Sequence, residues 1–532
     1  MQYPTARHSS WALSASGTAL VLSLDTRNIL KDILNASLAM AGSNLRQWLA
    51  AAMVAHATAA AVTYPVPAAV PTNAAKLDSM PVGLSFEFFM WPSYMKNITP
   101  PLLCMEHFKD LYGRTMPVRI GGTTQDRATY DPNLEAYVSY HVDDLLEAPM
   151  TLTYGPKFFD LIPALGTQTM LGFNRGDNNR SNTFAAIMEA KKRALKYLWA
   201  IEIGNEPDLY YLFWNKPVAV APWNETQEGY DAANWIQQFI DTWKTPLPMI
   251  SAGAYGIPYP YQPDWPNTEF LINDVFNATV KGAVSRYCTH LYALADGSSL
   301  AADMSHMQTA ADVSLLVPKV AAAKSVNRPY ILGETGFHGQ DIAADATFGG
   351  ALQILDKTLR ATSVGIERLF YHQGTINQAY FNWWSDNQVN APFYGGYMAT
   401  LALAGGDRII ASDAGNDSFA QYVIYKKNKP CKVVLINTEY YSGNGTRTTT
   451  SFTLSGLSSS QNLTALRMTA ASSVVTTSRD ATDTSSGPTI GGQTFSHQTC
   501  AKEGRPRYET ASVKKGQATF TLAASEALLV YL

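Results

Sequence analysis

Ile201-Glu202-Ile203-Gly204-Asn205-Glu206-Pro207-Asp208 is the stretch that decides the fold. The apolar residues that lead to Ile203 are typical of a buried strand, Gly204 allows another backbone to approach closely, and Pro207 ends the strand. In a (β/α)8 barrel the reacting groups lie at the carboxyl ends of the strands. The stretch therefore predicts a barrel strand that presents Glu206 as a candidate acid and base, beside the Asn205 amide. The alternative is a solvated turn that follows a core strand.

A second strand, further along the chain, repeats this design. Arg328-Pro329-Tyr330-Ile331-Leu332-Gly333-Glu334 is again a short apolar run that ends in Gly-Glu. Two glutamates at the ends of parallel strands can be held about 5 Å apart, the separation at which a retaining glycosidase uses one as nucleophile and the other as acid and base. Each motif alone is a weak signal, but the pair predicts glycosidic bond cleavage by Glu206 and Glu334.

The pattern around these two strands predicts a (β/α)8 TIM barrel, of α/β class, followed by a β-sandwich. Eight short apolar runs alternate with segments of helical periodicity, and the two glutamates fall on the fourth and seventh runs. These runs are residues 82–89, 117–122, 169–174, 198–203, 249–255, 284–292, 328–334 and 365–373. After Gly405 the pattern changes to short alternating strands separated by Ser, Thr, Gly and Asn, which is typical of a sandwich. These strands are residues 419–425, 431–437, 451–454, 463–468, 518–522 and 527–532.

Four regions are therefore expected along the chain. Residues 1–62 form an upstream extension with a signal-like segment, and residues 63–79 form an extended segment that adds a strand to the sandwich. The catalytic barrel covers residues 80–404, and the C-terminal β-sandwich covers residues 405–532. This division agrees with a length of 532 residues, which exceeds the usual size of one domain.

Composition limits the classes of function. The chain is 46% hydrophobic, 11% aromatic and 16% charged, and its net charge of −3 argues against a nucleic-acid partner. No apolar run reaches the ~18 residues needed to span a bilayer. The four cysteines form no CxxC motif and have no metal-ligand spacing to the nine histidines, so neither a metal site nor a cofactor is expected.

Cysteine pairing is left open by the sequence. Cys431 and Cys500 are expected to close a loop within the C-terminal region if the compartment is oxidising. Cys104 and Cys288 lie in apolar barrel segments and are expected to be free, buried thiols.

The N-terminal region predicts secretion. Residues 48–55 resemble the apolar core of a signal peptide, Arg46 supplies its positive flank, and residues 57–59 offer a small-residue cleavage site. Because this signal lies far from Met1, translation is expected to start at Met40, with residues 1–39 as an upstream extension; the alternative is a disordered alanine-rich leader. Asn-x-Ser/Thr acceptors favour an extracellular location, among them Asn179, Asn224, Asn277, Asn416, Asn444 and Asn462.

Five motifs, taken in order and spacing, carry a family resemblance over most of residues 80–532. They are residues 119–126, 173–179, 201–208, 347–352 and 371–375. The chain resembles a fungal member of glycoside hydrolase family 79, the family of β-glucuronidases and heparanase. The resemblance implies Glu206 as acid and base and Glu334 as nucleophile. It also implies that Asn205 contacts the 2-hydroxyl of the sugar, that Glu87 contacts another ring hydroxyl, and that Tyr255 and Tyr292 line the sugar site, one of them orienting the nucleophile.

The loop after the nucleophile departs from the family. Relatives commonly read Glu-Thr-Asn-Ser, whereas here Glu334-Thr335 is followed by Gly336-Phe337-His338. In the family this loop helps to hold the carboxylate of a uronic acid, so the change bears on the choice of substrate more than on the chemistry. Gly339, Gln340 and Tyr380 are the candidates for the carboxylate-binding donors.

The leading hypothesis is a secreted, retaining, exo-acting β-glucuronidase, with 4-O-methylglucuronate as a further candidate sugar. Its partner would be a glycan that ends in a β-linked uronic acid. Two enzyme alternatives use the same barrel: a β-glucosidase, and a heparanase-like endo-β-glucuronidase, against which the lack of a dense Lys/Arg cluster near the barrel loops argues. A non-catalytic carbohydrate-binding protein is the alternative from another class. The sequence does not give the aglycone or the oligomeric state.

Overall fold

Eight parallel strands close into a barrel in the order in which they occur along the chain. The computed structural model describes residues 60–244, 247–256, 265, 267–293, 299–338, 342–376, 382–458, 462–477 and 487–532. Up to the end of the barrel, its strands are β1 (Ala60–Pro65), β2 (Ala75–Lys76), β3 (Val82–Glu87), β4 (Val118–Gly121), β5 (Ala128–Tyr130), β6 (Val138–Tyr140), β7 (Leu152–Tyr154), β8 (Thr169–Phe173), β9 (Leu198–Ile203), β10 (Ile250–Tyr255), β11 (Val284–Leu291), β12 (Tyr330–Thr335) and β13 (Leu369–Gln373). The barrel consists of β3, β4 and β8 to β13. The predicted barrel is confirmed, with Glu206 after its fourth strand and Glu334 in its seventh.

The barrel interior is a packed core and not a channel. Every residue of β3, β11 and β12 is buried, as expected for parallel strands that are covered on both faces. Six of the barrel strands each contribute one side chain to a buried apolar layer, formed by Met170, Ala200, Ala254, Cys288, Ile331 and Phe370. This filling leaves the carboxyl ends of the strands as the place for a site.

The connections of the barrel are mostly helical. The helices are α1 (Trp91–Lys96), α2 (Pro100–Tyr112), α3 (Lys157–Leu165), α4 (Arg180–Ala194), α5 (Glu225–Trp243), α6 (Thr268–Phe270), α7 (Ala278–Ala283), α8 (Leu300–Asp303), α9 (His306–Ser314), α10 (Val317–Ser325), α11 (Ile342–Asp345), α12 (Phe348–Ser363) and α13 (Ala391–Leu403). Between the second and third barrel strands, β5, β6 and β7 form a small sheet that the sequence did not predict. Over the residues that the structure describes, no helix is both long and apolar enough to cross a membrane.

The C-terminal region is built from antiparallel sheets. Its strands are β14 (Arg408–Ala411), β15 (Phe419–Lys426), β16 (Lys429–Asn437), β17 (Thr449–Ser455), β18 (Asn462–Thr469), β19 (Thr489–Ile490), β20 (Thr494–Phe495), β21 (Lys502–Glu503), β22 (Glu509–Ser512), β23 (Gln517–Ala523) and β24 (Glu526–Tyr531). An eight-stranded sheet contains β14, β15, β16, β18 and β24, and a three-stranded sheet contains β17 and β23. The predicted β-sandwich is confirmed.

Strand β15 shows why the sandwich stays attached to the barrel. Val423 and Tyr425 pack into the core between the two sheets, whereas Tyr422 and Ile424 pack into the core that includes the barrel. Because side chains alternate along a strand, one β-strand contributes to both cores. The barrel and both sheets accordingly belong to one unit, Ala61–Leu532.

The segment ahead of the barrel also lies in these sheets. β1 is the edge strand beside β17, and the Val66 amide donates to the Ser455 carbonyl at 2.8 Å. β2 pairs with β14 in the larger sheet. The segment ahead of the barrel is therefore joined to the C-terminal sheets through backbone hydrogen bonds.

The cysteine pairing differs from the expectation. Cys104 of α2 forms a disulfide with Cys500, while Cys288 and Cys431 are free. The predicted Cys431–Cys500 loop and the predicted free Cys104 were therefore wrong, and only Cys288 was assigned correctly. The reason is a tertiary contact: the His107 ring, on the same helix as Cys104, lies 2.6 Å from the Cys500 carbonyl oxygen and packs against Phe495.

A buried histidine also bridges the barrel helices and the C-terminal region. His306, which begins α9, is fully buried and lies between two carboxylates. Its Nδ1 is 2.8 Å from Asp356 of α12, and its Nε2 is 2.8 Å from Asp413 in the loop before β15. Although burial opposes its protonation, Asp356 and Asp413 raise the pKa of His306 to about 10. Both ring nitrogens therefore act as donors at neutral pH.

Candidate active site

Glu206 is held at the mouth of the barrel by an unusual backbone conformation. Its φ and ψ of 49° and 58° lie in the left-handed region, which is rare for a residue other than glycine. The Glu206 amide donates to the Ala254 carbonyl at 2.9 Å, and Pro207 follows it. Such strain persists only where the surroundings impose it, and it is typical of functional sites.

Glu334 lies opposite, near the end of β12. Carboxylate oxygens of Glu206 and Glu334 lie within 4.8 Å of each other. Both side chains are largely buried, with 12% of Glu206 and 9% of Glu334 exposed. One carboxylate oxygen from each residue at this distance fits the ~5 Å separation of retaining glycosidases better than the ~6.5–9.5 Å separation of inverting enzymes, which must seat a water.

Arg119 of β4 connects the carboxylates inside the barrel and is itself completely buried. Its Nη1 donates to Glu334 Oε2 at 2.6 Å, its Nε donates to Glu202 Oε1 at 3.0 Å, and its Nη2 donates to Asn205 Oδ1 at 2.8 Å. Burial disfavours the charged guanidinium, but Glu202 and Glu334 more than offset this effect and raise the pKa of Arg119. Arg119 is therefore a permanent positive charge beside Glu334.

The surroundings keep Glu334 ionised. Burial alone would raise the pKa of this carboxyl, but His372, Arg119 and a hydrogen bond from Tyr292 together lower the pKa well below its usual value. The Tyr292 hydroxyl donates to Oε1 at 2.7 Å, and His372 Nδ1 lies 3.4 Å from Oε2. Each oxygen of Glu334 thus has a donor of its own.

The surroundings of Glu206 have the opposite effect. Burial and the negative charge of Glu334 raise the pKa of Glu206 well above the usual value of a glutamate. Its neighbour His290, with Nδ1 2.8 Å from Oε1, is also fully buried, and burial lowers the pKa of His290 to about 4. A neutral His290 adds no positive charge that would stabilise the Glu206 carboxylate. Two close carboxyl groups whose pKa values are displaced in opposite directions are suited to act as an acid and a nucleophile.

Comparison with known proteins agrees with this geometry. Residues 421–529 match the C-terminal beta domain of glycosyl hydrolase family 79. A β-glucuronidase of Aspergillus niger is 28% identical over 422 residues, which is 70% of this chain and 74% of the relative. A β-glucuronidase of Neurospora crassa is 28% identical over 359 residues, which is 61% of this chain and 63% of the relative.

A solved structure extends the match to the barrel. The 4-O-α-L-rhamnosyl-β-D-glucuronidase of Fusarium oxysporum is 38% identical, with a TM-score of 0.82, over 88% of this chain and 100% of that one. The chain belongs to glycoside hydrolase family 79. The enzyme is therefore a glycoside hydrolase, and the resemblance inferred from its sequence motifs is confirmed.

In this family 79 enzyme, the predicted ligand Asn205 is fixed by its neighbours. Its Oδ1 accepts from Arg119, and its backbone amide donates to Asp126 Oδ2 at 2.7 Å. The other oxygen of Asp126 accepts the amides of Arg175 and Gly176. The side-chain nitrogen of Asn205, Nδ2, has no hydrogen-bond partner among the described residues, so it is available to a ligand.

Glu87, at the end of β3, is partly occupied by protein contacts. Its Oε1 accepts from the Thr124 amide at 2.9 Å, and its Oε2 lies 3.3 Å from His372 Nε2. Burial opposes ionisation of Glu87, but His372 and Thr124 lower its pKa. Glu87 is 7% exposed and shares His372 with Glu334, which places it beside the catalytic pair.

The two predicted tyrosines have different positions. Tyr292 reaches Glu334, whereas the Tyr255 hydroxyl donates to Glu228 of α5 at 2.6 Å and does not reach the pair. The register of β10 shifts between Gly253 and Tyr255, and Ala254 has a φ of 57°. This bulge turns Tyr255 toward the helix, because an extra residue reverses the alternation of side chains.

The remaining predicted residues cannot be placed in the same way. Gly339, Gln340 and Tyr380 lie outside the described residues. The described part of the loop after Glu334 is held by two helices. Lys357 of α12 donates to the Gly336 carbonyl, and the His338 amide donates to Asp345 of α11 at 2.7 Å.

Sequence reasoning gave no role to four residues of the site: Arg119, Glu202, His290 and His372. A signal for the first two was present, since each is a charged residue within an apolar strand, where charge is found only when paired. The two histidines end β11 and β13, at the same edge as the glutamates, and could have been found by that position.

Proposed function

We propose that this family 79 enzyme is a retaining, exo-acting β-glucuronidase in which Glu334 is the nucleophile and Glu206 is the acid and base. The observation that carries the proposal is the close pair of carboxyl groups, whose pKa values are displaced in opposite directions, that of Glu334 downward and that of Glu206 upward. The names of the relatives from Aspergillus niger and Neurospora crassa support the choice of sugar.

In the first step, a Glu334 oxygen forms a bond to the anomeric carbon while the glycosidic C–O bond breaks. The proton of Glu206 moves to the departing oxygen, so that the aglycone leaves as a neutral alcohol. The product is a glycosyl ester on Glu334, and Arg119 and Tyr292 fix the orientation of the attacking carboxylate.

The second step uses the same groups in reverse. Once Glu334 is esterified, its negative charge is gone, and with it a main reason for the high pKa of Glu206. Glu206 can then accept a proton from water as the water oxygen attacks the anomeric carbon. The Glu334 carboxylate leaves with its charge restored, stabilised by the donors on Arg119 and Tyr292.

Two polar side chains orient the sugar in this proposal. The free amide nitrogen of Asn205 donates to the 2-hydroxyl, and Glu87 accepts from another ring hydroxyl. A hydrogen bond to the 2-hydroxyl that strengthens in the transition state contributes to the rate.

The uronic-acid carboxylate needs donors of its own. Moving it from water into a pocket costs several kcal/mol unless hydrogen bonds replace its hydration. The predicted suppliers remain Gly339 through its backbone, Gln340 through its amide and Tyr380 through its hydroxyl. A β-glucosidase would leave such donors unpaired, so they would discriminate against a glucoside.

The test is a comparison of 4-nitrophenyl β-glucuronide, β-glucoside and β-xyloside. We expect kcat/KM for the glucuronide to exceed that for the glucoside by at least about a hundredfold. This lower bound is modest, because a site that pairs a polar group can discriminate by ~10⁴ against an analogue that lacks the group. A glucoside that is cleaved equally well would overturn the choice of uronate while leaving the two glutamates in place. Cleavage of none of the three by the folded protein would favour a carbohydrate-binding protein.

The second candidate substrate is a glucuronide that carries a substituent on O4. The substituent is either a methyl group, as in 4-O-methylglucuronate, or a rhamnosyl group. This candidate is favoured by the relative from Fusarium oxysporum, which is a 4-O-α-L-rhamnosyl-β-D-glucuronidase and is aligned over its whole length. Comparing kcat/KM for aryl β-glucuronides with a free, a 4-O-methyl and a 4-O-rhamnosyl group decides between them. A preference for the free glucuronide would reject the substituted substrates.

Secretion is also part of the proposal. The Cys104–Cys500 disulfide is typical of an oxidising compartment, and acceptors such as Asn179, Asn224 and Asn277 are exposed. Expression in a fungal host, followed by mass analysis of the medium with and without endoglycosidase, tests it. Recovery of only unglycosylated protein inside the cells would contradict it.

A further inference from the structure

A second cluster of potential ligands lies directly behind the acid and base. Glu202, Cys288 and His290 bring a carboxylate oxygen, a sulfur and an imidazole nitrogen within 4.8 Å of one another. All three residues are buried, with at most 1% of their surface exposed. Their side chains meet inside the barrel, beside the apolar layer that contains Met170 and Phe370.

Two atoms of this cluster have no partner. Glu202 Oε2 and His290 Nε2 are buried and make no hydrogen bond to any residue that the structure describes. A buried polar atom left without a partner destabilises the folded protein, so a ligand that pairs with it is favoured. The other atom of each group is fixed: Arg119 binds Glu202 Oε1, and Glu206 contacts His290 Nδ1. The two side chains therefore hold their free atoms in place.

We propose that Glu202, Cys288 and His290 form a binding site for a divalent transition-metal ion of the zinc type. A thiolate, an imidazole and a carboxylate are together the ligand set that Zn²⁺ accepts, with a fourth position left for water. In a tetrahedral zinc site neighbouring donor atoms are about 3.5 Å apart. Donors already within 4.8 Å of one another need only a small inward movement.

The charges of the site allow a cation. Arg119 carries one positive charge against the negative charges of Glu202 and Glu334, so this group has one unmatched negative charge. On binding, the Cys288 S–H bond is replaced by an S–metal bond and one proton is released, so the group gains one positive charge and becomes neutral. Burial raises the pKa of the Cys288 thiol and so opposes the loss of that proton.

Occupation of the site would reach the catalytic acid through His290. A metal on Nε2 requires the lone pair of that nitrogen, so the ring hydrogen must sit on Nδ1. Nδ1–H then donates to Glu206 Oε1, 2.8 Å away. Glu206 loses its own proton to solvent, the second proton released on binding, and is stabilised as a carboxylate with no proton to give. The metal therefore inhibits the first step. This consequence rests on the proposed function, whereas metal binding itself does not.

The first test uses Co²⁺ as a spectroscopic substitute for Zn²⁺, with the purified full chain and no substrate. We expect a thiolate-to-cobalt absorption band in the wild type and in Cys431→Ser, and its loss in Cys288→Ser. Cys431 is the matched control, because it is the other free cysteine among the described residues and belongs to neither donor cluster. No band in the wild type, or an undiminished band in Cys288→Ser, would overturn the proposal.

A zinc-soaked crystal of the wild type decides the matter without a variant. An anomalous peak between Cys288 Sγ, His290 Nε2 and Glu202 Oε2 supports the site. A peak only between Glu206 and Glu334, whose oxygens also lie within 4.8 Å of a His290 nitrogen, overturns it.

Inhibition is tested last. Saturating zinc should lower kcat/KM of the wild type at least about tenfold on a substrate with a poor leaving group, since general acid catalysis contributes 10²–10⁴-fold. Each variant is compared with its own metal-free rate. Equal inhibition of the wild type and Cys288→Ser would show that the inhibition does not pass through this cluster.

Discussion

Replacing Tyr292 with phenylalanine removes one hydroxyl from the site and nothing else. That hydroxyl donates to Glu334 Oε1 at 2.7 Å, while Arg119 keeps Oε2. In the second step the Glu334 carboxylate leaves the sugar and regains its charge, and the Tyr292 hydroxyl stabilises that charge. A hydrogen bond to a charged group contributes about 1.5–3 kcal/mol. The corresponding loss in the rate of the second step is about 10–150-fold.

The variant should also shift the pH dependence in a defined direction. Tyr292 helps to lower the pKa of Glu334, so its loss raises that pKa. Activity requires ionised Glu334, so the acid limb of kcat/KM moves to higher pH, by about one to two pH units for the same free energy.

The assay is a rapid-mixing experiment with an aryl β-glucuronide, combined with a pH profile. Tyr292→Phe should show a burst of released aglycone followed by slow turnover, because the glycosyl-enzyme accumulates. Tyr255→Phe is the matched control: its hydroxyl bonds to Glu228, so it should lose stability but keep the acid limb in place. An unchanged kcat and an unshifted acid limb in Tyr292→Phe would refute the reasoning.

Three further predictions concern the acid, the disulfide and the buried histidine. Glu206→Gln should reduce kcat/KM far more for natural glycosides than for activated aryl glycosides, because acid assistance matters most for a poor leaving group; equal losses in both would count against the acid role. Removing the Cys104–Cys500 bond by Cys104→Ser should lower the free energy of unfolding by about 2–5 kcal/mol, measured by chemical denaturation, whereas Cys431→Ser should leave it nearly unchanged. The pKa of His306 in the folded state is raised to about 10, so its contribution to stability is complete below about pH 6.5 and is lost as the pH rises through 10. The difference in the free energy of unfolding between wild type and His306→Gln should therefore shrink over that interval. A constant difference would reject the bridging role.

The fold could be predicted because its signals are local. Each barrel strand is a short apolar run, and strand β9 carries its own ending in Gly204 and Pro207. The small sheet of β5, β6 and β7 was missed because strands of three residues have no period to detect. The partner of Cys104 was missed because it lies 396 residues away and depends on how α2 packs.

The positions of Glu206 and Glu334 could be predicted for the same reason, but their surroundings could not. Glu206 and Glu334 end strands that the sequence defines. The contacts of Arg119 with Glu202 and Glu334 depend on which side chains point into the barrel, and that depends on register. A bulge of one residue in β10 was enough to send Tyr255 to Glu228 instead of to the site.

The central claim is that Glu334 forms a covalent bond with the sugar. A 2-deoxy-2-fluoro-β-glucuronyl fluoride slows both steps, and the slower release of the sugar allows the intermediate to be trapped and located by peptide mass analysis. The account predicts one fluoroglucuronyl group on the peptide that contains Glu334, and none in Glu334→Gln. A label on Glu206, or hydrolysis with inversion and no label at all, would contradict it.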